Sequence, residues 1–325
     1  MNVRVSIVVP TYKRPRLLDR CLAALLAQDF PAGGFEIVVA DDAGDPATWC
    51  VVRRYRREAA RGGPRIRYVH VRGRHGPAAA RNSGWRAAAG QLIAFTDDDC
   101  VPAPDWLREG VSALGETRAA VWGRVVVPLP EQPTDYQRDA ARLAGAGFVT
   151  ANCFCRRRVL AEVGGLDENF TVPWREDSDL YFSLLERGYE VAQTPHAVVI
   201  HPVRPASWGE SLRQQRKILF DALLYKKHPA LYRARIRRAP RWDYYGILAL
   251  LLLSVSGWIA ELRTLAWGAG AAWLLATACF CFARLRRTSW RPAHLAEMAF
   301  TSALIPPLAV FWRLVGAVRY RVMFF

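Results

Sequence analysis

The sequence predicts an α/β fold with a mostly parallel sheet flanked by helices, followed by a C-terminal region of transmembrane helices. From Val3 to about Phe95, short β-branched runs alternate with helix-like segments. The runs are apolar at almost every position, which is typical of strands buried on both faces of a parallel sheet. After Tyr244, two uncharged stretches of about 17 to 19 residues are each long enough to cross a bilayer core.

Strands and helices are predicted to alternate over the first hundred residues. Four runs predict strands: VSIVVP (5–10), FEIVVADD (35–42), RIRYVHV (65–71) and QLIAFTDDD (91–99). Three segments between them predict helices: RLLDRCLAALLAQ after Pro15, PATWCVVRRYRREAA, and PAAARNSGWRAAAG with its stop at Gly90. This alternation predicts a parallel sheet covered by helices on each side. Residues 115–205 are less regular, with VWGRVVVP a predicted strand, CRRRVLAEVGG a helix and SDLYFSLLERGYEV a helix running into a strand.

The amino-acid composition limits the candidate binding partners of the protein and the cellular compartment in which it lies. The 325 residues carry a formal net charge of +16, which indicates an anionic partner: nucleic acid, an acidic substrate or a membrane surface. Seven cysteines include no C-x-x-C pair, and no His pair has zinc spacing, so we expect no zinc site. Their odd number favours a reducing compartment, and the apolar run in MNVRVSIVVPTYKRP is too short for a signal peptide.

Polar residues follow three of the predicted strands, at Thr11-Tyr12, Asp41-Asp42 and Asp97-Asp98-Asp99. Ligands of open α/β sheets bind beyond the carboxyl ends of the strands, so these residues predict one crevice. Neighbouring carboxylates raise each other's pKa, and we therefore expect a positive group against Asp97 and Asp99. Asp97-x-Asp99 offers the oxygen ligands that Mg²⁺ or Mn²⁺ prefers, and such an ion would bridge to substrate phosphates. The alternative is a solvated acidic turn.

Five motifs carry a family resemblance, namely VSIVVPTYKRP, IVVADDAGD, GPAAARNSGWRAAAGQLIAFTDDDC, ANCFCRRRVLAEVGGLDENF and WREDSDL. In this order they resemble the family 2 glycosyltransferases, of the membrane-anchored bacterial type, over about residues 3–205. The resemblance implies a GT-A fold and an inverting sugar transfer from a nucleotide-diphosphate sugar. It also implies a divalent metal, Mg²⁺ or Mn²⁺, held by the Asp-x-Asp motif.

The resemblance assigns roles to individual residues. Contacts to the nucleotide sugar are implied for Pro10, Thr11, Tyr12, Asp41, Asp42, Arg81, Asn82, Asp97 and Asp98. Metal ligation is implied for Asp97, Asp99 and His201. The alternatives are structural: Thr11 as a helix cap, Asp42 as a turn residue, Arg81 as a surface ion pair and His201 as a packed histidine. The family pattern Asp-Asp-Gly-Ser reads Asp41-Asp42-Ala43-Gly44 here, and Thr96 replaces an aliphatic residue, so donor selectivity stays open.

Glu176-Asp177 in WREDSDL matches the catalytic acidic pair of the family. Inverting transfer needs one general base to take the proton of the acceptor hydroxyl while the leaving group departs from the opposite face. Asp177 is the expected base, with Glu176 as the second choice. The alternative is that these residues cap the following helix. Trp174, just before the pair, fits either stacking on an acceptor sugar or core packing.

The remainder of the chain predicts membrane attachment. LRQQRKILFDALLYKK predicts a basic amphipathic helix on an anionic membrane surface or, alternatively, docked on the catalytic core. Cationic clusters flank the apolar stretches YYGILALLLLSVSGWIA and LAWGAGAAWLLATACFCF, which places both flanks and the N-terminal domain in the cytoplasm. Pro306-Pro307 interrupts the shorter last apolar run, and Arg319 and Arg321 beyond it would lie outside if the run crossed, so we expect a re-entrant or interfacial hairpin there, or else a span. The predicted domains are 1–206, 207–243 and 244–325.

Together these features predict a glycosyltransferase at the cytoplasmic membrane that acts on a lipid-linked or polysaccharide acceptor. A nucleic-acid-binding membrane protein is less favoured, because the arginines cluster beside apolar segments, where phospholipid attraction explains them. A catalytically inactive scaffold of the same fold is the second alternative. Retention of Asp97, Asp99 and Asp177 together argues against that scaffold. The sequence contains no P-loop motif.

Overall fold

The computed structural model describes residues 3–324 and divides into two compact units. The first unit contains the residues up to Pro128 together with Arg142–Pro202, and the second contains Leu129–Ala141 together with the chain from Val203 onward. Leu129–Ala141 therefore belongs to the second unit, although the chain before it and after it belongs to the first. Each unit is described separately below.

The first unit contains all the strands of one sheet and the helices that cover it. The strands are β1 (Val5–Thr11), β2 (Phe35–Asp41), β3 (Arg65–His70), β4 (Leu92–Thr96), β5 (Val101–Pro102), β6 (Ala120–Val126), β7 (Asn152–Arg156) and β8 (Val191–Ile200). The helices are α1 (Pro15–Leu26), α2 (Pro46–Ala59), α3 (Pro77–Ala87), α4 (Trp106–Leu114), α6 (Arg157–Val163) and α7 (Glu176–Glu186), and α5 (Asp135–Ala141) lies in the second unit.

The eight strands form a mixed sheet in the order β3-β2-β1-β4-β7-β6-β8-β5. Strands β3, β2, β1 and β4 pair in parallel, as do β6 and β8, whereas β7 runs antiparallel to both β4 and β6. The predicted α/β fold with helices on both sides is confirmed. The four N-terminal strands bring their carboxyl ends to the same edge, which places the three predicted polar strand ends together.

Alternate residues of the central strands enter two separate cores. Ile7 of β1 packs in a cluster with Leu22 of α1, whereas its neighbour Val8 belongs to a cluster that contains Trp85 of α3. Successive side chains of a strand point to opposite faces, so a strand covered on both sides must be apolar throughout. All seven residues of β1 are buried. This explains why the predicted strands lack an alternating pattern.

A bulge at Gly123 interrupts the register between β6 and β8. A Cβ atom at this position would lie 2.2 Å from the backbone oxygen of Ala197 and 2.4 Å from the side-chain nitrogen of Asn152. Asn152 is fully buried and donates to the backbone oxygens of Arg124 and Ala197, so it ties the bulge together. Only a residue without a side chain fits between these groups.

The second unit is helical. Its helices are α5, α8 (Glu210–Gln214), α9 (Leu219–Lys227), α10 (Pro229–Arg235), α11 (Trp242–Ile259), α12 (Arg263–Leu285) and α13 (Pro292–Tyr320). Among residues 3–324, α11, α12 and α13 are long and apolar enough to cross a membrane. Arg284 at the end of α12 donates to Thr301 and Ser302 of α13 and pairs with Asp135 of α5 at 2.7 Å. This arginine joins three helices of the unit.

Two expectations for this region are corrected. The sequence 212–227 does not form one amphipathic helix, because α8 and α9 are separated by a 3₁₀ turn and residues 219–224 are all buried. The hairpin expected at Pro306-Pro307 is wrong, since both prolines lie inside the continuous helix α13. Each proline removes a helix hydrogen bond, and packing of α13 against α9, α11 and α12 offsets that loss.

Replacement of Gly123 by alanine should destabilise the first unit, because the new methyl group has no space at the bulge. We expect a cost of about 1–3 kcal/mol, visible as a lower Tm of the full chain in detergent. Gly147→Ala is the matched control, since a Cβ atom at Gly147 meets nothing within 4 Å. An unchanged Tm for Gly123→Ala would contradict the role assigned to the bulge.

Candidate active site

The three consecutive aspartates after β4 each face a different cationic group. Asp98 is buried, accepts a 2.7 Å hydrogen bond from the Thr11 hydroxyl and pairs with Arg14 at 3.2 Å. Burial raises the pKa of Asp98 to about 6, while Arg14 acts in the opposite direction. Asp98 therefore fastens the end of β4 to the end of β1 and the start of α1.

Asp99 lies close to a histidine that follows β8, the strand that pairs with β5. The Nε2 atom of His201, just after β8, lies 3.4 Å from the Oδ1 atom of Asp99. The Cys100 thiol joins them, and one potential ligand atom from each of the three residues lies within 4.8 Å of the others. A carboxylate and an imidazole at this separation suit a divalent cation such as Mn²⁺, whereas a thiol is a soft ligand and suits it poorly. Asp99 and His201 are the pair that could hold a metal.

Arg81 of α3 is the central cation of the site. Its Nη2 atom donates to Asp97 at 2.6 Å and its Nη1 atom donates to Glu176 at 3.2 Å. The arginine is 3% exposed and Glu176 is 4% exposed, so the hydrogen bond between them is removed from solvent. Arg81 thus lies under the crevice as a bridge between two acidic segments, and it is not the surface ion pair considered above.

Glu176 and Asp177 begin α7, where the helix dipole favours negative charge. Burial and the neighbouring Asp177 raise the pKa of Glu176 to about 8, although Arg81 opposes them. Burial also raises the pKa of Asp177, but the hydrogen bond from the Ser178 backbone and the charges of Arg81 and Arg175 oppose that rise. Glu176 is buried and Asp177 is half-buried. The two carboxyl groups are therefore distinct, with Asp177 the more accessible.

The acidic pair after β2 divides into two roles. Asp41 is fully buried and accepts hydrogen bonds from the backbones of Ala43 and Asp45 and from the Tyr68 hydroxyl. These contacts hold the turn after β2. Asp42 reaches the loop before α3, where it accepts from the backbone of Gly76 at 2.9 Å and pairs with His75 at 3.0 Å. Asp42 is thus the member of the pair that faces this loop.

Gly76 is required for this arrangement. Its φ of +115° is unfavourable for residues with a side chain, and a Cβ atom would lie 2.9 Å from the backbone oxygen of Thr171. Because Gly76 precedes α3, its conformation sets the direction from which that helix brings Arg81 under the crevice.

The remaining residues predicted to contact the nucleotide differ in burial and in hydrogen bonding. Pro10 and Thr11 are buried at the end of β1, whereas Tyr12 is 52% exposed beyond it. Asn82 is 1% exposed and makes its hydrogen bonds inside the unit, to Leu166, Glu168 and Trp85. These bonds fix the loop after α6, so the structure places Asn82 in a structural position. The contact of these residues with a nucleotide stays a prediction.

Sequence reasoning missed several residues of the site. Arg14, Tyr68, His75 and Cys100 all contact predicted site residues. Arg14 and Cys100 stood inside quoted motifs but carried no assigned chemistry. Arg175 adopts a φ of +75°, which is uncommon for a residue with a side chain, and its guanidinium lies 4.5 Å from the Trp174 ring centre. The conformation of Arg175 and its contact with Trp174 leave no signal in the local sequence pattern.

The mixed sheet of eight strands with helices on both sides is the architecture of the GT-A fold class, and an acidic motif follows its strand β4. The sequence family Glycosyl transferase family 2 matches residues 6–164, so this part of the chain is a family 2 glycosyltransferase domain. Predicted membership of the family is thereby confirmed.

Two relatives illustrate the match. The chain is 25% identical to the glycosyltransferase AglE of Haloferax volcanii over 226 residues, which cover 66% of this chain and 71% of that one. It is 37% identical to validoxylamine A glucosyltransferase of Streptomyces hygroscopicus over 110 residues, 34% of this chain. That second match spans only a quarter (25%) of the relative's length.

Solved structures share the fold. The mannosyltransferase PcManGT from Pyrobaculum calidifontis, in complex with GDP-Man and Mn²⁺, superposes with a TM-score of 0.56 at 22% identity. The alignment covers 98% of this chain and 87% of that one. Staphylococcus aureus TarS gives a TM-score of 0.52 at 16% identity over 95% of this chain and 55% of that one. At these identities the likeness concerns the fold alone.

Loss of Arg81 should be costly, because it leaves two acidic groups without their shared cation. Arg81→Met is expected to lower the free energy of unfolding by about 3–5 kcal/mol. Arg86→Met, which removes an exposed arginine paired with Glu168, should cost less than about 1 kcal/mol. In the double variant Arg81→Met/Glu176→Gln, the loss should be smaller than the sum of the single losses. Additive losses would show that Arg81 and Glu176 are not energetically coupled.

The raised pKa of Glu176 predicts a pH-dependent stability. Its pKa is about 8 in the folded chain and near the ordinary 4.5 in the unfolded chain, so the folded state binds this proton more tightly. The resulting stabilisation is complete below pH 4.5 and is lost as the pH rises towards 8. Glu176→Gln should therefore make the Tm less dependent on pH between about 5 and about 8.

The exposed Glu190 provides the control for this measurement, since its side chain is 57% exposed. Glu190→Gln should leave the slope of Tm against pH as it is in the unaltered chain. Equal slopes for all three proteins would contradict the assignment to Glu176.

Proposed function

We propose that this chain is an inverting glycosyltransferase that moves a sugar from a nucleotide-diphosphate sugar to a hydroxyl group of a lipid-linked or polysaccharide acceptor. The reaction would take place at the cytoplasmic face of a membrane. The observation that carries the proposal is the bridge of Arg81 between Asp97 and Glu176, because it joins the acidic motif after β4 to the acidic pair of α7. Donor-side and acceptor-side groups of the inferred reaction thereby share one crevice.

Asp177 is the proposed general base. Where two carboxyl groups have environments that separate their pKa values, the group with the lower pKa serves as base and the other remains protonated. Glu176, buried and with a pKa of about 8, is the protonated member. Asp177 is half-buried and receives a 2.7 Å hydrogen bond from the backbone of Ser178, which stabilises its ionised form. It would accept the proton of the attacking hydroxyl.

Asp99 and His201 are the proposed metal ligands. Their donor atoms lie 3.4 Å apart, and a carboxylate with an imidazole is a suitable set for Mn²⁺ or Mg²⁺. When bound, such an ion neutralises charge on the diphosphate leaving group. Asp97, which the sequence also assigned to the metal, pairs with Arg81 and would hold that guanidinium in place.

A membrane-proximal acceptor is inferred from the second unit. Helices α11, α12 and α13 are suitable for membrane insertion, and the arginines before α11 and after α12 predict cytoplasmic flanks. An enzyme anchored in this way meets acceptors that are themselves held at the membrane. A lipid-linked saccharide or a growing polysaccharide would meet this condition.

The test is a transfer assay with the purified full chain in detergent, with UDP-, GDP- and dTDP-sugars and Mn²⁺ or Mg²⁺. Asp177→Asn should lower kcat by about 10²–10⁴-fold, because the acceptor hydroxyl loses its base. Asp29→Asn, the same chemical change at a side chain that is 67% exposed, should retain full activity.

Two outcomes would overturn the proposal in different ways. Full activity of Asp177→Asn together with an inactive Glu176→Gln would move the base to Glu176. Failure of the unaltered chain to bind any nucleotide in calorimetry, or to release a nucleoside diphosphate from any donor, would instead indicate an inactive scaffold.

A further inference from the structure

Four arginines line one cavity in the second unit. The cavity has a volume of about 500 Å³ and lies at the end of α10 and in the loop that follows it. We call this cavity the arginine pocket; its cationic residues are Arg233, Arg235, Arg237 and Arg238. The described lining contains no carboxylate, and its other members are alanines and an isoleucine.

The backbone of the arginine pocket is fixed by buried aromatic residues. Tyr232 is 1% exposed, its ring packs against Phe324, and its backbone oxygen accepts from the backbone of Arg237 at 3.0 Å. Arg233 lies over the Tyr225 ring and donates to the backbone oxygen of Arg238 at 3.1 Å. The guanidinium groups are therefore presented from an ordered loop.

Several arginine side chains lie close together in the loop that follows α10. Burial, followed by the charges of Arg241 and Arg313, lowers the pKa of Arg237, while Tyr232 and the carboxylate of Asp221 act in the opposite direction. Asp243 does little to neutralise the positive charge of this loop, because it accepts hydrogen bonds of 2.8 and 3.1 Å from Arg241. Gathering cations in this way costs free energy, and an anion bound among them would recover it.

The position in the chain indicates where that anion comes from. Arg241 immediately precedes α11, the first candidate membrane span, and Trp242 at its start is 65% exposed. Exposed tryptophans at the ends of apolar helices are typical of the membrane–water interface, where lipid phosphates lie. Guanidinium groups bind phosphate with paired hydrogen bonds, which ammonium groups cannot reproduce.

We propose that the arginine pocket binds the phosphate group of an anionic membrane lipid. The site is distinct from the crevice of the first unit and does not depend on the proposed sugar transfer. It would hold one headgroup in a defined position, in addition to the diffuse attraction that any basic segment exerts on an anionic bilayer.

The test uses the full chain in a neutral detergent and measures binding of phosphatidylglycerol by native mass spectrometry. Arg235→Gln/Arg238→Gln removes two exposed cations of the pocket. Arg286→Gln/Arg287→Gln removes two exposed cations from the flank of α12 and is the matched control. We expect the dissociation constant to rise about tenfold or more in the pocket variant and less than about twofold in the control.

Further arms of the experiment separate the possible outcomes. Arg235→Lys/Arg238→Lys keeps the charge and should lose part of the affinity, because the paired hydrogen bonds are lost. Phosphatidylcholine, whose ammonium group offsets its phosphate, should bind weakly to every variant. Equal losses in the pocket and control variants would overturn the proposal in favour of diffuse attraction. Displacement of the lipid by inorganic phosphate at similar concentration would overturn it in favour of a soluble phosphate ligand.

The pocket variant must be folded for this comparison. Its Tm without lipid should lie close to that of the unaltered chain, since both substituted side chains are exposed. Added phosphatidylglycerol should raise the Tm of the unaltered chain and of the control more than that of the pocket variant. An equal rise in the Tm of all three proteins would contradict the proposed site, whatever the mass spectrometry shows.

Discussion

The ion bridge made by Arg81 is the interaction on which the candidate active site depends. Its guanidinium donates to Asp97, 16 residues away in the chain, and to Glu176, 95 residues away. A planar group with several donors in fixed directions can satisfy two carboxylates at once, which a lysine cannot do. Without it, the buried carboxyl group of Glu176 and the carboxylate of Asp97 would lose their shared hydrogen-bond donor, and with it the contact that joins the two acidic motifs.

The same constraint is met separately for each aspartate after β4. Arg81 faces Asp97, Arg14 faces Asp98 and His201 faces Asp99. Three adjacent carboxylates are therefore tolerated because each one points to its own partner. The two arginines carry a permanent charge, whereas an imidazole can also act as a neutral metal ligand. Asp99 is thus the position where an added divalent ion would gain most.

Positive charge serves different purposes in the two units. In the first unit the arginines of the site are paired with carboxylates, so they fix geometry, and Arg81 opposes the rise that burial causes in the pKa values of both Glu176 and Asp177. In the second unit the arginine pocket has no carboxylate in its described lining. In the site proposed above, this charge would attract the phosphate of an anionic lipid. The net charge of +16 alone did not distinguish these two uses.

The sequence by itself determined the strands, the helices between them, the positions of the acidic motifs and the apolar helices, because each depends on periodicity or on neighbouring residues. Only the tertiary structure decided which groups meet. Arg81 and Glu176 are 95 residues apart, and pairing of β5 with β8 brings His201 to Asp99 and Cys100. Helix α13 likewise continues through Pro306-Pro307 because neighbouring helices support it. Contacts between distant segments form through packing, which local sequence pattern does not record.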